Sequence, residues 1–192
     1  MLFSGGGRPL DLRKMLGKRA LIVGEAGSGK TRVLASFLDF LVERGLEREV
    51  TLIELAPGLE EIGRPLETYT RNVFRVRYLR PRKIYPPRLL GKTAEEVLSY
   101  AERNYREARR LLSIFSASPS KILLINDLTI FLHFGNPEEI LEAIRACETF
   151  AATAYEGEVL RDDKGSGITM REKKALSRLK PEMDLVIKLS KS

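Results

Sequence analysis

Apolar positions along the chain follow two alternating rhythms. Short continuous runs at Ala20 to Val23, Val50 to Leu55, Ile122 to Ile125 and Phe150 to Tyr155 read as buried strands, and Val73 to Tyr78 and Asp184 to Leu189 complete six candidates. Between them lie stripes spaced three and four apart. Val33, Leu34, Phe37, Leu38 and Leu41 form one helix face that Gly45 closes. The longest stripe opens on the capping box Thr93-Ala94-Glu95-Glu96, carries Val97, Leu98, Ala101, Asn104, Tyr105, Ala108, Leu111, Leu112 and Phe115, and stops at Ser118-Pro119-Ser120. Another helix starts at Asn136-Pro137-Glu138-Glu139, with a cap, a proline at the first position and two acids at the positive end. The last begins at Thr169, with Glu172 three residues on. Strands alternating with helices in this order predict a three-layer α/β fold, a mostly parallel sheet of about six strands with helices on both faces.

The connections carry their own signals. A glycine-rich tail at residues 1–9 precedes a short amphipathic piece from Leu10 to Leu16. Pro81, Pro86 and Pro87 make Arg80 to Gly91 an ordered surface loop without a backbone ladder. Glu156 to Ile168 contains Gly157, Gly165, Ser166 and Gly167 among alternating charges, and its length marks it as functional or mobile. Neither an internal repeat nor a linker divides the chain. Its 192 residues make one domain, long enough to bury about 70% of its unfolded surface and too short for a two-lobed motor.

Composition narrows the setting. No stretch approaches twenty uncharged apolar residues, and the first nine residues lack an apolar targeting core, so a cytoplasmic protein with no membrane partner is expected. The single cysteine, Cys147, falls on an apolar stripe and reads as a buried small hydrophobe; the single histidine, His133, permits no histidine-rich metal cluster. Gln and Trp are absent and charged residues make up 31%, a balance common in proteins of thermophiles.

The formal charge of +7 is concentrated in one stretch. Arg64, Arg71, Arg75, Arg77, Arg80, Arg82, Lys83 and Arg88 face the lone acid Glu67, so the whole excess lies there. A solvated face explains such a run, and so does a nucleic acid or acidic protein partner bound by Arg75, Arg77, Arg80, Arg82 and Lys83. Tyr69, Phe74, Tyr78 and Tyr85 are interleaved, which suits base stacking and core packing alike.

The candidate chemistry begins where the first strand ends. Gly24, Glu25, Ala26, Gly27, Ser28, Gly29, Lys30 and Thr31 fit G-x-x-x-x-G-K-[ST] in full, with Arg32 next in line. Glycines let successive N–H groups turn around phosphates, Lys30 reaches the β and γ oxygens, and the Thr31 hydroxyl can ligate Mg²⁺. The helix that follows completes the anion site with its N-terminal amides and dipole.

Two further acids stand at strand ends. A phosphate loop needs a neighbouring acid to hold the Mg²⁺ shell, and Ile122-Leu123-Leu124-Ile125 runs into Asn126-Asp127. The usual acid position holds Asn126, and the acid comes one later. A one-residue slip reverses a strand side chain, so either a bulge brings Asp127 round, the favoured reading, or Asn126 serves the metal as a neutral ligand. Glu54, at the carboxyl end of Val50 to Leu55, is placed to orient the attacking water as general base; an edge-exposed or arginine-paired glutamate is the alternative.

With these pieces the chain resembles the P-loop NTPase superfamily and, within it, the RecA and KaiC-like ATPases. The resemblance implies a strand between the phosphate-loop strand and the Walker B strand, and it places Val73 to Tyr78 at a sheet edge. It also makes Glu156 to Ile168 a region that touches DNA or a neighbouring subunit, and sets Lys188 near an adjacent subunit's phosphates. The expected protein binds ATP and Mg²⁺, hydrolyses ATP slowly for want of a transition-state arginine, and acts as a nucleotide switch or assembly subunit, with a homo-oligomer that places nucleotide near its interface. Two alternatives differ in outcome: a small-molecule kinase, and a non-hydrolysing module that uses ATP to fix its shape. A GTPase finds no N-K-x-D motif, and Asp162-Asp163-Lys164-Gly165 matches D-x-x-G only out of order.

Overall fold

A computed structural model describes residues 10–58 and 63–190; the glycine-rich tail lies outside the described residues. A 3₁₀ turn at Leu12–Met15 leads to β1 (Arg19–Gly24), α1 (Lys30–Glu43), β2 (Val50–Glu54), β3 (Arg77–Leu79), α2 (Pro87–Leu90) and α3 (Ala94–Ala117). Then follow β4 (Ile122–Asn126), α4 (Thr129–Leu132), α5 (Pro137–Arg145), β5 (Thr149–Tyr155), α6 (Ile168–Leu179) and β6 (Leu185–Leu189). The six strands form one parallel sheet in the order β3-β2-β4-β5-β1-β6. β5 therefore lies between β1 and β4, and β3 is an edge, as the resemblance implied.

Period-two alternation divides each buried strand between two cores. Leu21, Val23, Ile53, Leu123, Ile125 and Ala152 pack on one face against Ala108, Leu111 and Phe115 of α3 and against α4, α5 and α6. Ala20, Ile22, Val50, Leu52, Ile122 and Leu124 pack on the other against Val33, Leu34, Phe37, Leu38 and Leu41 of α1, with Met15, Leu66 and Val73 filling in. Each fully buried Leu, Ile or Phe contributes about 1.5–3 kcal/mol. Asn136 caps α5 in a full capping box with Glu139, and Thr93 caps α3. Cys147 packs partly buried against the first core, and burial pushes its thiol up to about 11.

Four expectations need correction. Val73 to Tyr78 is not one strand: Arg71–Arg75 is a 3₁₀ turn and pairing covers only Arg77–Leu79. Its apparent alternation is outweighed by Thr70, whose side chain accepts from the Asn72 amide at 3.1 Å and is tied to Asp39, so that Val73 plugs the core while Phe74 is 57% exposed. Arg80 to Gly91 is not loop throughout, because Pro87 at a helix's first turn starts α2. α6 begins from Gly167 without a side-chain cap, and Glu172 lies on its buried face rather than in a capping box. The basic stretch is not one surface patch either, since the Arg88 side chain is 8% exposed.

Candidate nucleotide-binding site

The loop from β1 to α1 sits at the carboxyl ends of the strands, between the ends of β5 and β6. Its first glycine is fixed by close approach: a Cβ on Gly24 would lie 2.5 Å from the Leu189 carbonyl oxygen and 2.7 Å from Ser28 Oγ. Lys30 opens α1 and donates from Nζ to the Gly24 and Glu25 carbonyl oxygens at 2.9 and 2.7 Å. Burial lowers its pKa, with the charges of Asp127 and Glu25 opposing. Ser28 Oγ is buried without a hydrogen-bond partner.

Glu25 ties this loop to the segment after β5. Its carboxylate accepts from the Ala26 amide at 3.1 Å and the Glu158 amide at 2.8 Å. Burial opposes its ionisation, but these amides, that of Val159 and the Tyr155 hydroxyl outweigh it and hold the carboxyl below its usual range. A Cβ at position 157 would lie 2.3 Å from the Glu25 carboxylate, so a side chain there would displace it. On the far side of this segment, Lys188 lies 3.9 Å from Glu156, which also pairs with Lys180.

Beside the loop, β2 and β4 pair in register so that Glu54 stands opposite Asn126. Asn126 Nδ2 donates to Glu54 Oε1 at 2.8 Å, while Asn126 Oδ1 accepts from Thr153 Oγ1 at 2.9 Å and Thr31 Oγ1 at 3.4 Å. A polar line therefore runs from Thr31 at the start of α1 through Asn126 to Glu54. Glu54 is 2% exposed and, among the described residues, is held by amides and by no arginine: Ala56 N reaches Oε1 at 2.9 Å and Leu66 N reaches Oε2 at 2.7 Å. Burial raises its pKa to about 7 against the pull of these donors. Among the described residues three donors occupy its carboxylate, two on Oε1 and one on Oε2.

Asp127 reaches the same region by a different device. The chain leaves β4 with Asp127 at φ 59, a left-handed turn. Its amide donates to Thr153 Oγ1 at 2.8 Å and its carboxylate accepts from Thr129 Oγ1 at 2.6 Å. Burial raises its pKa, with Thr129, His133 and Lys30 opposing. Thr31, Asn126 and Asp127 thus present oxygen donors only.

Behind Asp127 lies a cluster that sequence reasoning missed. Arg88 of α2 donates to Glu172 of α6 at 2.9 Å, and His133 Nε2, at the end of α4, is 2.9 Å from the same carboxylate oxygen. Arg88 also lies 3.1 Å from His133 Nε2 and donates to Thr169 Oγ1 at 3.2 Å. Burial works against the Glu172 charge, yet His133 and Arg88 together keep its carboxyl below the usual range. The available signal was an acid in step with Ile168, Ala175, Leu176 and Leu179 on the buried face of α6.

The proposed polyanion contacts are spread and mostly engaged. Arg75 pairs with Glu47 and Arg80 with Glu67, each at 2.9 Å. Arg77 donates to the Ile114 and Ser118 carbonyls, which closes the end of α3. Lys83 lies 4.8 Å from the Tyr85 ring centre, and Arg82 is exposed with its amide on Glu107. Arg32, next after Thr31, is 5.8 Å from the Tyr69 ring centre.

No family model matches the chain, and no curated protein is significantly similar to it. Solved structures with a similar fold include the Pif1 helicase of Candida albicans, 16% identical with a TM-score of 0.37, over 93% of this chain and 37% of the helicase. A protein of Pyrococcus horikoshii OT3 matches at 12% identity and TM-score 0.34, over 94% of this chain and 88% of its own. A KaiC-like protein of the same hyperthermophilic archaeon matches at 17% identity and TM-score 0.38, over 80% and 70%. This chain spans little more than a third of the helicase's length. Among the described residues no helix is long and apolar enough to cross a membrane.

Proposed function

We propose that the protein binds ATP with Mg²⁺ at residues 24–31 and hydrolyses it slowly, as a nucleotide-controlled switch or assembly subunit. The observation that carries this reading is the polar line from Thr31 through Asn126 to Glu54 beside the Lys30 ammonium. Ser28 Oγ, buried and unpartnered, adds a group that a phosphate oxygen would satisfy. The donor set fits Mg²⁺, which takes oxygen ligands and keeps several waters. Thr31, Asn126 and Asp127 would hold it, with phosphate and water supplying the other ligands. When bound, Mg²⁺ neutralises charge on the transferred phosphoryl. Glu54, with a pKa of about 7 and hydrogen-bonded to Asn126, is the group that takes a proton from the attacking water.

A second reading has its own support. Asn126 is neutral where a metal-shell acid is usual, and Glu54 is heavily engaged by donors, which favours a module that binds nucleotide without turning it over. Hydrolysis of ATP and GTP, with and without single-stranded and duplex nucleic acid and beside Lys30→Ala, separates the two. Turnover abolished by Lys30→Ala supports the ATPase, binding without turnover supports the module, and no nucleotide binding at all defeats both.

A further inference from the structure

The outward face of α6 carries four cations that fare differently. Lys173 reaches Glu158 at 3.4 Å, and Arg178 is paired with Glu138 at 2.8 Å and Glu182 at 2.9 Å. Arg171 and Lys174, one turn apart and exposed, have no carboxylate within ion-pair distance among the described residues. Both stand at the rim of a cleft of about 310 Å³ between α6 and the end of α4, whose floor is Leu132, Phe134, Pro137 and Ala175. Arg171 lies 5.5 Å from the Phe134 ring centre, and Phe134 itself is 38% exposed. Met170, one residue before Arg171, is 59% exposed.

We propose that this cleft docks an acidic segment of a partner protein, an apolar side chain entering the floor while flanking carboxylates pair with Arg171 and Lys174. The charge pattern selects this occupant. A second copy would bring a chain of net charge +7 and the same cationic face against these cations. A nucleic acid would find only two cations on a mainly apolar cleft, few for a polyanion backbone. An acidic amphipathic segment supplies what both parts lack, with anchors spaced along one face. None of the cleft's lining residues belongs to the candidate nucleotide site.

The test uses the full chain and a fluorescent peptide of Asp and Glu around a central Leu-Phe pair, followed by anisotropy at low salt. Saturable binding is expected, weakened about tenfold by the double reversal Arg171→Glu with Lys174→Glu and by replacing Leu-Phe with Gly-Ser. If the reversed protein melts early, Arg171→Gln with Lys174→Gln serves in its place, and the expected loss is about threefold. Absence of saturable peptide binding, or binding indifferent to these substitutions, overturns the proposal. A single-stranded oligonucleotide that binds more tightly and is lost with the same reversal reassigns the cleft to nucleic acid. Self-association in sedimentation that the reversal abolishes reassigns it to a second copy.

Discussion

Lys30 and Arg88 are both cations largely withdrawn from water, and their surroundings are built on different logic. The Lys30 ammonium donates to two neutral carbonyls, and burial lowers its pKa. The Arg88 guanidinium meets Glu172 at 2.9 Å, the His133 nitrogen at 3.1 Å and the Thr169 hydroxyl at 3.2 Å. A buried charge in contact with a carboxylate is structural in the first instance, whereas one that touches neutral carbonyls and feels carboxylates only at a distance is poised for an anionic ligand. Exposure alone does not separate the two cases; the partner set does.

The sharpest break of this comparison is Arg88→Ala. It leaves the Glu172 charge beside His133 with no guanidinium, and breaking a buried pair costs about 3–5 kcal/mol. Urea denaturation should show that loss, while nucleotide affinity of the folded fraction stays near that of the wild type. A loss under 1 kcal/mol would mean that water or His133 satisfies Glu172 unaided.

Next in size is the pH dependence at Glu54. Its folded pKa of about 7 lies above the ordinary carboxyl value of 4.5, so folding takes up a proton between these two. Its contribution to stability is full below pH 4.5 and is lost as pH rises through about 7, up to about 3 kcal/mol in total. Glu54→Gln should flatten that decline in denaturation curves taken across pH 4.5–7.5, and it should bind ATP without turnover. A mutant that keeps both the decline and the turnover would make Glu54 a tether for Leu66 and nothing more.

Lys30→Ala reverses the Arg88 outcome. Affinity should fall by about 1.5–3 kcal/mol, the worth of a hydrogen bond to a charged group, with stability unchanged or raised, because the buried ammonium has no carboxylate at contact distance among the described residues. Calorimetric titration with ATP measures the first and thermal melting the second. Equal affinity in mutant and wild type would remove the basis for a nucleotide site here.

The same contrast decides what could be read from the sequence. Gly24 to Thr31 is a contiguous motif whose strand and helix flanks follow from apolar rhythm, so its place in the fold was legible, as were the places of Glu54 and the Asn126-Asp127 pair at strand ends. The hydrogen bond of Asn126 to Thr31 and the left-handed turn at Asp127 were not, because a period-two rule cannot say how a chain leaves its strand. Arg88, His133 and Glu172 come from three helices, with Glu172 lying 84 residues from Arg88 and 39 from His133. Glu172 also sits three residues after Thr169, a spacing that mimics a capping box. Arg71–Arg75 misled for a similar reason: alternating Phe74, Val76 and Tyr78 imitate a strand until Thr70 and Asp39 turn the chain.

The smallest predicted effect belongs to the exposed remainder of the basic stretch. Arg75 and Arg80 already face glutamates at 2.9 Å, and Arg77 closes α3. Arg82 and Lys83 are exposed and carry no side-chain ion pair among the described residues. If this face binds nucleic acid, each cation contributes a slope of roughly −0.7 to −0.9 in log K against log salt. Arg82→Glu with Lys83→Glu should then shallow the slope by about 1.5–2 and leave ATP affinity unchanged. Reversal of Arg77 should instead lower stability, because its guanidinium occupies two helix-terminal carbonyls that would lose their donor. A slope untouched by the Arg82 and Lys83 reversal, or no binding to DNA or RNA at low salt, would turn this stretch into the counterpart of Arg88, with cations committed to the fold or left to water.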